Sequence, residues 1–301
     1  MQIELKGIIP PVITPLLNNN ELDVKGLENL IEHLISGGIH GLFLLGTNVE
    51  ATSLTYELRK ELISKACKFA NKRVPVLVGI TDTSFSGSIE IARAAKDAGA
   101  DAVVVAPPYY VPISQKEMMQ YLEDLSAELP LPFVLYNMPS CTKMHLTIET
   151  VKKAKELGAL GIKDSSGDMF YLYSLIEEFK NSPEFSIMAG TELYLPDTIL
   201  HGGHGAIAGG ANAFPKLFVD LYNASVKKDL NEIARLRKKV VVLYNTIYNV
   251  GDSPMKITKG TKCSLSVMNI CNGYMAHPLR EFEGEERKLI EQYVNEFNKL
   301  A

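Results

Sequence analysis

The sequence contains few cysteines, and they are not arranged as metal or disulfide sites usually are. Its 301 residues include only four of them, and these form no C-x-x-C pair and no cluster with histidine. They are Cys67, Cys141, Cys263 and Cys271. The spacing therefore argues against a structural zinc site and against a disulfide framework.

Long apolar runs are missing as well. No run approaches the ~20 residues that a membrane-spanning helix needs, and residues 1–6 lack the pattern of a signal peptide. The net charge of -4 gives no electrostatic reason to expect nucleic acid or an anionic membrane as a partner. We therefore expect a cytoplasmic protein that binds small molecules, with no nucleic-acid or membrane partner.

Nucleotide-binding motifs are also absent. No Gly-x-Gly-x-x-Gly follows the first strand-like segment, and there is no Walker-type loop. The glycine-rich stretch Gly202-Gly-His-Gly205 comes just before the last strand-like segment, where it fits a turn. These absences disfavour a doubly wound open sheet, which is the structural alternative to a barrel.

Short apolar segments recur along the chain at the spacing of βα units. They cover 7–14, 41–46, 74–80, 102–107, 132–137, 161–163, 186–190 and 205–209, and most of their ends lie 27 to 33 residues apart. Amphipathic stretches with helical spacing lie between them, at 23–36, 55–71, 84–98, 114–129 and 147–157. Apolar strands alternating with helices indicate a parallel sheet covered on both faces, and about eight units close it into an α/β fold of the (β/α)8 TIM-barrel type.

The regular spacing stops at Asp229. Residues 230–250 and 285–300 have helical patterns, and residues 254–277 between them look irregular. We therefore predict a barrel over residues 1–228, which carries the active site. Residues 229–301 are predicted to form a C-terminal helical extension that packs on the barrel.

Polar residues follow several of the predicted strands, at the end where barrel enzymes have their active sites. They are Thr14, Thr47, Asn48, Tyr109, Tyr110, Tyr136 and Lys163. Tyr136 and Lys163 are 27 residues apart, one βα unit, so we expect them on adjacent strands at similar height. A phenol beside an amine suits Schiff-base chemistry, although a strand-end lysine that only reaches toward water is the structural alternative. Backbone N–H groups and a hydroxyl in Gly46-Thr-Asn48 suit a substrate carboxylate.

Four motifs in order resemble one family. They are Gly46-Thr-Asn-Val-Glu50, Pro107-Pro-Tyr-Tyr110, Tyr136-Asn-Met-Pro139 and Gly161-Ile-Lys-Asp164. With these motifs the chain resembles the dihydrodipicolinate synthase / N-acetylneuraminate lyase family of class I aldolases, from roughly Lys6 to Ala224.

The resemblance implies a role for each matching residue. Lys163 would form the Schiff base, Tyr136 would shuttle protons, and Thr47 would relay protons and bind the carboxylate. Tyr110 would reach into the site of a neighbouring subunit, and the carbonyl of Ile207 would line the pocket. A homotetramer, built as a dimer of dimers, is expected on the same ground. Neither a cofactor nor a metal is expected, because the imine itself is the electron sink.

Departures from the family pattern bear on the substrate. Synthases that use aspartate semialdehyde carry an arginine at the position of Cys141, whereas sialic acid and keto-deoxy sugar acid aldolases carry small or apolar residues there. The sialic acid branch has a serine in place of Gly209 and an acidic pair whose second member is Leu193 here, so that only Glu192 is left to bind a polyol. Asn48 is expected to bind substrate, but it replaces a hydroxyl of the proton relay in the synthases, which leaves the details of that relay open.

We therefore interpret the sequence as a class I aldolase or lyase that joins or releases pyruvate and an aldehyde, with a 2-keto-3-deoxy sugar acid as substrate. The alternative enzyme is 4-hydroxy-tetrahydrodipicolinate synthase, with Lys143 covering for the missing arginine. A hypothesis from another class is a non-catalytic keto-acid-binding protein, and the presence of Lys163 and Tyr136 argues against it.

Overall fold

A computed structural model describes residues 4–300, except for the side chains of Asn48 and Leu300. The strands are β1 (Gly7–Ile8), β2 (Leu16–Asn18), β3 (Glu21–Leu22), β4 (Leu42–Leu44), β5 (Val76–Gly79), β6 (Ala102–Val105), β7 (Phe133–Asn137), β8 (Gly161–Asp164), β9 (Ser186–Ala189) and β10 (Gly205–Ala206). All except β2 and β3 belong to one eight-stranded parallel sheet, in the order β1-β10-β9-β8-β7-β6-β5-β4. Every predicted strand is present in it.

The sheet closes into a barrel between its first and last strands. Pro11 and Phe43 form a parallel bridge just beyond β1 and within β4. The Val12 N–H donates to the Phe43 carbonyl at 2.8 Å, and the Phe43 N–H donates to the Pro10 carbonyl at 3.0 Å. These bonds join the two sheet edges, so the predicted TIM barrel is confirmed.

Helices connect the strands and cover the barrel. Those of the barrel are α1 (Val24–Ser36), α2 (Tyr56–Ala70), α3 (Phe85–Ala98), α4 (Gln115–Glu128), α5 (Pro139–Thr142), α6 (Ile148–Glu156), α7 (Met169–Phe179), α8 (Leu195–Leu200) and α9 (Pro215–Val226). Side chains at the N-caps accept the first free N–H groups of many of these helices, as expected for Asp, Ser and Thr. Asp168, the N-cap of α7, accepts from the N–H groups of Phe170 and Tyr171.

Apolar side chains form two cores, one inside the barrel and one between the strands and the helices, because successive residues of a strand point to opposite faces. In β6, Ala102 and Val104 face the inside of the barrel, where they pack with Phe43 and Met188. Val103, which lies between them, belongs to the larger core between strands and helices. The barrel is therefore filled with side chains, and the site must lie at its end.

The C-terminal part consists of α10 (Leu230–Asn245), α11 (Lys256–Val267) and α12 (Gly284–Leu300). Helix α10 packs on α9, and α11 packs against the loop after β4 and against residues 209–212. The prediction of an irregular segment over 254–277 was wrong, because α11 lies within it. Most of its buried residues are small or polar, which leaves the apolar periodicity weak. They are Thr258, Gly260, Thr261, Lys262 and Ser264, beside the apolar Cys263 and Leu265. The boundary at residue 228 stays a prediction.

Within residues 4–300, no helix has both the length and the apolar character needed to cross a membrane. The four cysteines are free, and Cys141 is the exposed one.

Two histidines serve as hydrogen-bond acceptors at the opposite end of the barrel, where the strands begin. His40 Nδ1 accepts the N–H of Ile8, and His204 Nδ1 accepts the N–H of Ile187, each at 3.1 Å. Only an unprotonated Nδ1 can accept a hydrogen bond. Burial lowers the pKa of both imidazoles. The folded protein therefore keeps both rings neutral at a pH where the unfolded chain would protonate them.

We expect His40 and His204 to contribute less to the free energy of unfolding as the pH is lowered from about 7.5 to about 5.5. Below ~6.5 the unfolded chain binds more protons at these histidines than the folded protein does, so their contribution decreases. Buried Glu192, whose pKa is raised, acts in the opposite direction in the same interval, so the comparison is made with a variant. Urea unfolding of the parent and of His40→Gln/His204→Gln at a series of pH values measures the effect. The parent should lose stability relative to the double variant as the pH falls, and a constant difference between them would contradict this role.

Candidate active site

A cavity of about 300 Å³ opens at the carboxyl end of the barrel strands. Residues that follow β4, β5, β6 and β7 line it. The polar and sulfur-bearing ones are Thr47, Thr52, Thr81, Tyr109, Tyr136, Met138, Cys141 and Thr142. The strand ends thus bring together residues that are far apart in sequence, as in other enzymes with this fold.

Lys163 and Tyr136 are direct neighbours at this end of the barrel. They are paired in the register of β7 and β8, and each is 5% exposed. The Lys163 Nζ lies 4.0 Å from the centre of the Tyr136 ring and 5.1 Å from the centre of the Phe43 ring. The amine is therefore buried against aromatic faces, at van der Waals distance from the phenol ring that lines the cavity.

Thr47 extends this group by one hydroxyl. Its Oγ1 lies 3.3 Å from the Tyr136 hydroxyl, and either atom can donate the hydrogen bond. Thr47 begins a 3-10 turn, Thr47–Val49, that follows β4. The structure thus brings the predicted residues Lys163, Tyr136 and Thr47 together at one place.

A buried polar contact behind these side chains ties β7 to β8. The Asn137 Nδ2 donates to Asp164 Oδ1 at 2.8 Å, and the Asn137 Oδ1 accepts the N–H of Leu146 at 3.0 Å. Asp164 also accepts the Ser166 hydroxyl at 2.9 Å, and burial raises the pKa of its carboxyl. This pair was not predicted from the sequence, although Asn137 directly follows Tyr136 and Asp164 directly follows Lys163 in their motifs.

Cys141 lines the cavity from the short helix α5, and its side chain is exposed. Lys143, the candidate substitute for the missing arginine, points elsewhere: its Nζ donates to the Ser140 carbonyl at 3.1 Å. Lys143 is not among the residues that line the cavity, and neither is any described arginine.

Glu192 lies apart from this cavity. It is 2% exposed and sits in a 3-10 turn after β9, where its Oε2 accepts the N–H of Gly210 at 2.8 Å. Burial raises the pKa of the Glu192 carboxyl to about 7. A Cβ added to Gly209 would lie 3.6 Å from the Tyr248 hydroxyl and 3.9 Å from Glu192 Oε2, so a small space beside Gly209 faces both groups.

The remaining predicted residues lie in different surroundings. Ile207 is buried in the barrel interior, in the same apolar cluster as Tyr136. Tyr110 is 90% exposed, with a φ of 78°, and it does not line the cavity of its own chain. Asn48 lies on the turn after β4, and its side chain is outside the part of the chain that is described. Among the described residues, no group of three or more His, Cys, Asp or Glu side chains is arranged to hold a metal.

The fold and the cavity place the protein among the (β/α)8-barrel enzymes, and comparisons with known proteins narrow this class. The model of the dihydrodipicolinate synthetase family matches residues 4–297. The 4-hydroxy-tetrahydrodipicolinate synthase of Methanoculleus marisnigri is 31% identical over 294 residues, 96% of this chain and 99% of that protein. The Escherichia coli K12 protein YagE, suggested to be a 2-dehydro-3-deoxy-D-gluconate aldolase, is 38% identical over 221 residues, 72% of this chain and 73% of that protein.

Solved structures agree with these relatives. The dihydrodipicolinate synthase structure from Bacteroides thetaiotaomicron has a TM-score of 0.95 at 47% identity, over 98% of this chain and 100% of that one. The structure of YagE in complex with pyruvate has a TM-score of 0.92 at 30% identity, over 99% and 100%. The chain belongs to the dihydrodipicolinate synthase family and is therefore a lyase of the aldolase type.

Replacing Asn137 tests the buried hydrogen bond that joins β7 to β8. Asn137→Ala should lower the free energy of unfolding by about 1–3 kcal/mol, because it leaves the buried Asp164 and the Leu146 N–H without their partner. Urea unfolding measures the loss. Asn18→Ala is the matched control, since its amide donates to Glu21 on the surface, and it should change stability by less than about 0.5 kcal/mol. Equal effects of the two variants would contradict a structural role for Asn137.

Proposed function

We propose that the protein is a class I aldolase whose Lys163 forms a Schiff base with pyruvate and with 2-keto acids that contain it. The observation that carries the proposal is the buried group of Lys163, Tyr136 and Thr47, with the amine 4.0 Å from the phenol ring and the two hydroxyls 3.3 Å apart. The YagE crystal structure, which contains pyruvate, supports the choice of keto acid.

The proposed reaction begins when the neutral Lys163 amine attacks the ketone of the substrate. Tyr136 donates a proton to the carbinolamine hydroxyl, which leaves as water, so that a protonated imine forms and Tyr136 becomes a phenolate. The phenolate of Tyr136 then takes the proton from the hydroxyl on the carbon beyond the scissile bond. That bond breaks, the aldehyde leaves, and the electron pair moves into the imine to form an enamine. Protonation of the enamine and addition of water release pyruvate, and synthesis follows the same steps in reverse.

Thr47 has two proposed tasks in this scheme. Its hydroxyl contacts the Tyr136 hydroxyl and can pass protons to it. The turn that it begins also exposes Gly46 and Thr47 to the cavity, where hydroxyl and N–H groups suit the carboxylate of pyruvate. We assign Asn48 to the same carboxylate site.

We further propose a 2-keto-3-deoxy sugar acid as the substrate, so that the aldehyde half is a neutral polyol. The described residues that line the cavity include no arginine and no lysine, and Cys141 occupies the place of the guanidinium that synthases use. Since the amine of Lys143 is bound to Ser140, it is poorly placed to substitute. Glu192 and the Ile207 carbonyl are assigned to the more distant part of the substrate on the family resemblance alone, since neither residue lines the cavity.

The assembly is proposed to be a homotetramer in which Tyr110 completes the site of a neighbouring subunit. The exposure of Tyr110 together with Val111, at 90% and 64%, supports a contact at this loop. The enzyme is proposed to act in the cytoplasm.

The second candidate is 4-hydroxy-tetrahydrodipicolinate synthase. The full-length match to the Methanoculleus marisnigri synthase and the 47% identity to the Bacteroides thetaiotaomicron structure favour it. The cavity favours the sugar acid, because a synthase must hold the carboxylate of aspartate semialdehyde.

Trapping the imine tests the chemistry. Incubation with pyruvate and borohydride should attach one reduced pyruvyl group to the protein, and peptide mapping should locate it on Lys163. The Lys163→Met variant should remain unmodified, as should the parent without pyruvate. If no adduct formed, or if it formed on another lysine, the mechanism would be wrong and a non-catalytic keto-acid-binding protein would become the better hypothesis.

Introducing an arginine at position 141 tests the substrate. We expect the parent to use aspartate semialdehyde poorly, and Cys141→Arg to improve its use at least about tenfold, since each charge-assisted hydrogen bond contributes roughly 1.5–3 kcal/mol. Kcat/KM with pyruvate and aspartate semialdehyde measures the change. Ser140→Arg is the matched control, because Ser140 is exposed on the same short helix and does not line the cavity.

Two results would contradict the sugar acid. One is a parent enzyme that condenses pyruvate with aspartate semialdehyde at about 10 per second, a rate typical of metabolic enzymes. The other is an equal gain from Ser140→Arg, which would mean that any nearby positive charge suffices.

A further inference from the structure

The loop after β4 has an unusual backbone conformation at Glu50. This residue has a φ of 65° and a ψ of 20°, in the left-handed region that residues other than glycine seldom adopt. Two 3-10 turns flank it, Thr47–Val49 and Ala51–Ser53. Residues of both turns line the cavity, whereas Glu50 itself does not. The conformation of Glu50 therefore determines how both turns face the site.

The side chain of Glu50 is held on the far side of the loop by two donors. Lys262 Nζ, from α11, donates to Glu50 Oε1 at 2.7 Å, and the N–H of Ala276 donates to Oε2 at 2.6 Å. Both side chains of the ion pair are completely buried. Each carboxylate oxygen thus has a partner from the C-terminal part of the chain, 212 and 226 residues away in sequence.

Because the ion pair is buried, its energy depends strongly on the distance between the two charges. A charge without its partner is unstable in a medium of low polarizability, so Lys262 and Glu50 must stay in contact. Burial lowers the pKa of Lys262, while the carboxylate of Glu50 opposes that change. Because neither side chain is exposed to bulk solvent, separating the two charges is costly, and this couples the position of Glu50 to that of α11.

Thr47 lies three residues before Glu50, within the same loop. Helix α11 also packs directly against the turn Thr47–Val49. The other anchor of this turn is Thr14, whose hydroxyl donates to the Val49 carbonyl at 2.9 Å. Thr14 holds the turn from the barrel side, and Lys262 holds it from the C-terminal side.

We propose that Lys262 is a positioning residue of the active site. By binding Glu50 it fixes the turn that begins with Thr47, and so sets the 3.3 Å contact between the Thr47 and Tyr136 hydroxyls. The C-terminal helices therefore take part in catalysis through α11. This inference rests on the proposed function, since it concerns proton transfer by Tyr136.

The test uses pyruvate alone. An enzyme that forms an enamine exchanges the methyl protons of pyruvate with deuterium from heavy water, and proton NMR gives kcat and KM for this exchange. Lys262→Met keeps an unbranched side chain of similar length and removes the charge. We expect it to lower kcat for exchange at least about tenfold with a smaller change in KM, because proton transfer rather than binding is disturbed.

A double-mutant cycle with Thr47→Ala separates positioning from general destabilisation. If Lys262 acts through Thr47, adding Lys262→Met to the Thr47→Ala variant should change kcat less than about twofold. A variant that is merely less stable would lose activity by the same factor in both backgrounds. All measurements are made well below the thermal midpoint of each variant.

Arg237→Met is the control. Arg237 on α10 pairs with Asp197 on α8, an ion pair between the C-terminal helices and the barrel that does not touch the loop after β4. It should leave kcat for exchange unchanged. Should Lys262→Met fail to fold, Lys262→Arg takes its place, because the larger guanidinium displaces Glu50 while keeping the charge, and the same loss and the same cycle are expected.

The outcomes distinguish this inference from the proposed function. A parent protein that shows neither exchange nor an adduct on Lys163 would refute the proposed function and this inference with it. A parent that exchanges, together with a folded Lys262 variant of equal kcat or with fully multiplicative effects in the cycle, would refute the inference alone.

Discussion

The parallel register between β7 and β8 is the constraint on which the site depends. It makes Tyr136 and Lys163 partners across the sheet, and a slip of one residue would turn one of them out of the barrel. Asn137 and Asp164 follow them in the same register and join their side chains at 2.8 Å, in a buried place where an unmade hydrogen bond would cost about 1–3 kcal/mol. The pairing that aligns Tyr136 with Lys163 is thus reinforced by the next pair along both strands.

The fold could be predicted from the sequence because its signals are local and periodic. Apolar segments at βα spacing identify the strands, and the 27-residue interval between Tyr136 and Lys163 places them side by side. Helix α11 was not found in this way, because most of its buried residues are small or polar and only Cys263 and Leu265 among them are apolar. Periodicity detects apolar faces only.

Part of the candidate site could be predicted, because its residues follow strands that the local pattern identifies. Lys163, Tyr136 and Thr47 meet as their strand-end positions suggest. Lys262 was missed, because a buried ion pair between residues 212 positions apart leaves no local pattern in either segment. Removing one member of such a pair typically costs about 3–5 kcal/mol. Even a contact that contributes this much to stability can thus leave no recognisable pattern in a single sequence. Its partner Glu50 stood in a recognised motif, but the motif does not say what Glu50 binds.

Substitutions in the short helix α5 can change the lining of the cavity without disturbing the barrel that supports it. Cys141 on this helix lines the cavity and is exposed, and its thiol accepts the Ser140 hydroxyl at 4.0 Å. Replacements at exposed positions usually change stability by no more than about 0.5 kcal/mol. Under the proposed function, replacements on this one turn of helix change which aldehyde is accepted, while Lys163, Tyr136 and the barrel strands stay as they are.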